Sequence, residues 1–79
     1  MLIPLLLLAL TANLDLSCVS KIGEDMYQAM DGTVVWTEAC LVKAECVSAT
    51  VRFEPRPTLL FREGKTCRVV KVALPSKED

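Results

Sequence analysis

Seventy-nine residues allow one domain at most, and a chain this short commonly needs a covalent or metal staple to supplement its core. Histidine is absent, which removes the commonest general base and the commonest partner of cysteine at zinc. A net charge of −1 lacks the basic excess of a dedicated nucleic-acid binder.

The chain opens with "MLIPLLLLALTA", residues 1–12, uncharged and mostly leucine. A bilayer-spanning helix needs about 20 apolar residues, so no transmembrane span is expected here. The run has the dimensions of a secretory h-region followed by small residues, and is expected to be a signal peptide cleaved between about residues 11 and 20. A cut after Ser20 would remove Cys18 and leave an odd thiol, whereas a cut after Thr11 or Ala12 keeps all four cysteines. The expected mature product is a single secreted mini-domain, residues 13–79.

Next, "NLDLSCVSKIGED" reads as an irregular N-terminal arm carrying Cys18. Residues 22–30 permit two readings. Ile22, Met26 and Met30 have the i, i+4, i+8 spacing of a short helix ending before Gly32. Alternatively, Asp31-Gly32 forms a two-residue type I′ turn, with Met30 opposite Thr33 and Tyr27 opposite Trp36. The β-branched run Thr33-Val34-Val35-Trp36 favours the hairpin. From Cys46 to Phe53 the chain alternates, with Val47, Ala49, Val51 and Phe53 on one face. The prolines of "EPRP" stop that strand. "TLLFR" and "KTCRVVKVAL" then form a second hairpin around Glu63-Gly64, Pro75 ends it, and "SKED" is a solvated tail. No internal repeat is evident. The expected fold is small, disulfide-rich and mostly β, an antiparallel meander of four or five short strands.

The four cysteines, Cys18, Cys40, Cys46 and Cys67, contain no Cys-x-x-Cys and have no histidine to complete a zinc set. In a secreted chain an even count reads as a disulfide framework, with no metal and no cofactor expected. Antiparallel pairing of residues 46–53 with 58–62 would bring Cys46 near the Glu63-Gly64 turn and so near Cys67. That favours the pairs Cys46–Cys67 and Cys18–Cys40.

Catalysis has little to work with. Ser17, Ser20 and Ser48 have no histidine to activate them, and Glu24, Asp25 and Asp31 read as solvated loop charge. No enzymatic function is expected. Charge is instead distributed unevenly: the segment from Arg52 to Lys71 carries Arg52, Arg56, Arg62, Lys65, Arg68 and Lys71 against two acids. Such a segment suits an anionic partner: an anionic (sulfated) glycan, an anionic membrane or an acidic protein surface. Strand alternation places Arg62 beside Lys65 but puts Arg68 and Lys71 on opposite faces. Tyr27 and Trp36, two of only four aromatic residues, are expected in the core.

The stretch "DGTVVWTEAC", Asp31 to Cys40, resembles the glycine, tryptophan and cysteine segment of single von Willebrand factor type C modules in small secreted proteins. Those modules continue with closely spaced cysteines, usually eight or more, whereas here only Cys46 and Cys67 follow. The resemblance implies a secreted, disulfide-bonded binding module. The residues themselves point the same way, to a secreted, disulfide-stapled binding protein acting as ligand, effector or inhibitor of an extracellular protein. A structural or lipid-carrier role is the alternative.

Overall fold

The computed structural model describes residues 13–75; the expected leader and the four-residue tail lie outside them. Six strands form: β1 Leu14–Gly23, β2 Met26–Gln28, β3 Val34–Glu38, β4 Val47–Arg52, β5 Thr58–Phe61 and β6 Thr66–Ala73. They close into an antiparallel barrel in the order β1-β2-β3-β6-β5-β4. The class is the one the alternating segments imply. Closure adds what local pattern does not show, the pairing of β1 with β4 and of β3 with β6. It also shares the strand edges among neighbours, where an open sheet would leave two exposed.

Alternation fills the interior. Val19, Tyr27, Val35, Val51, Leu59 and Phe61 are each at most 1 % exposed. Tyr27 and Phe61 meet at its centre with ring centroids 5.5 Å apart, in a tilted arrangement. A six-stranded barrel is narrow enough for side chains alone to fill it.

The "irregular arm" is in fact β1, the longest strand. Its alternation is broken because the register against β4 shifts between Leu16 and Val19, where Cys18 has a positive φ of 49°. Leu16 and Val19, three apart, therefore both point inward. The bulge erases the period of two from the sequence.

Residues 26–38 form the expected hairpin, in a different register. Tyr27 pairs with Val35 and Met26 with Trp36. The turn is one residue longer than a type I′ turn. Gly32 N donates to Ala29 O at 3.0 Å, Gly32 takes the left-handed φ of 100°, and Ala29 N donates to Thr33 O at 2.8 Å. Asp31 holds this form by accepting the Thr33 N–H on Oδ1 at 2.9 Å. A one-residue slip exchanges faces, so Tyr27 is buried while Trp36 turns outward and is only partly covered. Trp36 is thus not a core residue. Phe53, expected inward, is 38 % exposed because β4 has ended at Arg52.

A repeat does exist in the structure. The second hairpin turn has the same bonds displaced by 32 positions, from Phe61 N to Lys65 O and from Gly64 N to Phe61 O, both 2.8 Å, with Gly64 also at φ 100°. Beyond the turns, Thr37 N to Asp25 O is matched by Val69 N to Pro57 O. Buried positions correspond too: Tyr27 with Leu59, Ala29 with Phe61, Val35 with Cys67. The barrel is two three-stranded meanders related by this repeat. Across residues 26–37 and 58–69 only Gly32 and Gly64 are identical, so the likeness is in turn geometry and burial.

The disulfides follow from closure. Because β1 lies beside β4, with Val19 opposite Val47, the bridge is Cys18–Cys46. Because β3 lies beside β6, with Glu38 opposite Arg68, the other is Cys40–Cys67. The expected pairs Cys18–Cys40 and Cys46–Cys67 are corrected. Residues 46–53 do pair with 58–61, but Cys67 lies on the far side of β5, opposite Leu59, and points into the barrel.

Candidate anion-binding surface

The segment between β3 and β4 crosses one end of the barrel, and a polar knot holds it there. Asp25 Oδ1 accepts Cys40 N at 2.7 Å and Thr37 Oγ1 at 3.2 Å. The Cys40 N–H bond, foremost, holds the Asp25 carboxyl below the ordinary carboxylate range, so it remains charged into mildly acidic solution. Lys21 Nζ donates to Cys40 O at 3.0 Å and to Tyr27 Oη at 3.4 Å, and the tyrosine hydroxyl donates to Val42 O. Lys21 N reaches Ala44 O at 3.0 Å, and Cys46 N reaches Ser20 Oγ at 2.9 Å. Asp25, expected as solvated loop charge, is therefore a specific acceptor. Asp31 likewise has its pKa lowered, chiefly by the Thr33 N–H. Ser17 and Ser48 offer backbone carbonyls to Met30 N and Arg62 N.

Closure separates charge by half-barrel. The β1–β3 half and its crossover contribute six acids against Lys21 and Lys43, while the β4–β6 half contributes six bases against Glu54 and Glu63. Within the basic half the six cations form two groups. Arg62 and Lys65 flank Glu63-Gly64 in the β5–β6 turn, side by side as expected. Arg52, Arg56, Arg68 and Lys71 lie toward the β4–β5 loop: Arg52 and Arg68 both pair with Thr58, and Arg56 sits in the loop itself.

Arg68 and Lys71 were expected on opposite faces and are not. The β3–β6 register shifts between Trp36 and Thr37, so Trp36 pairs with Lys71 but Thr37 with Val69, leaving Val70 as the extra residue. This bulge restores Lys71 to the outer face shared by Arg68. On β3 the outward partners are Trp36 and Glu38. Lys71 Nζ stands 4.9 Å from the Trp36 ring centroid, within cation–π range. Arg68 reaches Glu38 at 3.4 Å, the one ion pair among the described residues; both side chains are over half exposed, so it contributes little to stability.

The bulge also turns Val70 outward, 61 % exposed. With Phe53, Pro57, Val69, Lys71 and Val72 it lines an apolar surface groove of about 170 Å³. Trp36, Phe53 and Val70 are the surface residues that strand alternation alone misses. The only hint of them is the unbroken apolar pair Val69-Val70 inside an otherwise alternating strand. Comparison with protein families, curated proteins and solved structures yields no match. The molecule is thus defined by its own features: a small disulfide-stapled β-barrel with a basic, partly apolar face.

Proposed function

We propose that this is a secreted binding protein, a ligand, effector or inhibitor of an extracellular protein, and that it engages an anionic surface through its basic half-barrel. The observation that carries the reading is the outer face of β6, where Arg68, Val70 and Lys71 stand together beside Trp36. Clustered cations raise the local concentration of an anionic partner, and Trp and Arg are among the side chains most enriched at interface hot spots. Two closed disulfides suit an oxidising, extracellular setting. A lipid-carrier role has less support, because Tyr27, Leu59 and Phe61 occupy the barrel interior.

Heparin, a generic polyanion, is the test probe. The wild-type protein is expected to be retained at low salt and released as salt rises, since a Debye length of about 8–10 Å near physiological ionic strength screens such contacts. Arg68→Ala/Lys71→Ala should elute earlier than Arg62→Ala/Lys65→Ala, because the first pair belongs to the larger cationic group. If wild type passes unretained at low salt, the charge separation serves only solubility and the reading fails.

A further inference from the structure

We infer that the partner is a protein presenting an extended acidic segment, whose one apolar side chain seats in the groove between β6 and the β4–β5 loop. The inference rests on the reading that the basic half-barrel binds an anionic partner, and gives that partner its chemistry. Three independent features meet at this place.

First, the edge of β6 is open there. Pairing with β5 covers Thr66 to Arg68, and Val69 N still reaches Pro57 O at 3.0 Å. Over residues 71–73 β6 continues against β3 on one side, with no strand on the other among the described residues. A free strand edge accepts an extended peptide through main-chain hydrogen bonds. Second, the groove beside that edge is apolar and small. Its 170 Å³ is below the roughly 300–1,000 Å³ of small-molecule sites and suits a single side chain. Phe53 and Val70 are exposed within it, a cost in water that a covering partner would remove. Third, the rim is cationic. Arg52 precedes Phe53, Arg56 precedes Pro57, and Lys71 lines the groove itself, with Glu54 the one acid in the loop. Carboxylates flanking the apolar anchor would face these bases. A sulfated glycan could answer the charge, but it has neither an apolar anchor nor a backbone to pair with the edge.

The test compares two labelled, end-capped peptides, Asp-Glu-Leu-Glu-Asp and Asp-Glu-Gly-Glu-Asp, by fluorescence anisotropy, with heparin retention measured in parallel. The leucine peptide is expected to bind at least about tenfold more tightly, the gain that burial of one aliphatic side chain supplies. Phe53→Ser, a surface change whose folding is checked by intact disulfides and circular dichroism, should remove most of that gain while leaving heparin retention intact, and Val70→Ser should remove it as well. Equal affinity for the two peptides, with heparin still retained, would overturn the inference and leave the anionic-surface reading standing, as a glycan partner would require. Failure of heparin and both peptides to bind would overturn the reading as well.

Discussion

Replacing Cys40 and Cys67 together by alanine is expected to lower the unfolding free energy by about 4 kcal/mol, and replacing Cys18 and Cys46 by about 3.5 kcal/mol. The entropic part is nearly equal for the two bridges, since their cysteines are 27 and 28 positions apart and loop closure depends only on the logarithm of that span. Burial separates them. Cys40 is 2 % and Cys67 9 % exposed, so their sulfurs also fill the core, whereas Cys46 is exposed and Cys18 only half-buried. The Cys40 backbone is engaged as well, donating its N–H to Asp25 and accepting Lys21 on its carbonyl. For a domain whose whole stability is on the order of 5–15 kcal/mol, either loss is severe. Urea unfolding, with the m-value refitted for each variant, checks the ranking. A Cys18/Cys46 variant less stable than the Cys40/Cys67 variant would contradict it.

Tyr27→Ala should cost a further large amount, about 3–5 kcal/mol, as truncation of a buried ring does elsewhere. The ring is fully buried against Phe61, and its hydroxyl tethers the crossover through Val42 O while receiving Lys21. Tyr27→Phe separates the two roles. It keeps the ring and leaves the Val42 carbonyl without this donor, for a loss of about 1–2 kcal/mol. Lys21 would retain Cys40 O, which limits the damage on its side. If Tyr27→Phe unfolds at the wild-type urea concentration, the hydroxyl does not secure the crossover.

The elements readable in the sequence are those whose pattern is local and unbroken. Val47, Ala49 and Val51 alternate cleanly, proline stops that strand, and Gly64 marks the next turn. Each signal lies within a few residues of what it specifies. Two bulges defeat the same reasoning. At Cys18 the extra residue turns a ten-residue strand into an apparently irregular arm, and at Val70 it brings Arg68 and Lys71 to one face despite their odd spacing. A third difference is a single turn residue: Asp31 bonding to Thr33 lengthens the loop by one and sends Trp36 outward. The disulfide pairs were beyond reach for another reason. They depend on which strands become neighbours at closure, and β1 beside β4 is a contact between distant parts of the chain. The basic segment was legible as composition, but its division into two groups and its apolar groove required the bulge and the β4–β5 loop in place.

The barrel and its closure are tested most directly by where the disulfides run. Cleavage after Lys21, Lys43, Arg52, Lys65 and Arg68 places each cysteine in its own tryptic peptide. Under non-reducing conditions, mass spectrometry of the digest should find the peptide ending at Lys21 linked to residues 44–52, and residues 22–43 linked to residues 66–68. A link between the Lys21 peptide and residues 22–43, with 44–52 joined to 66–68, would place Cys18 beside Cys40 and contradict the pairing of β1 with β4 on which the closed barrel depends.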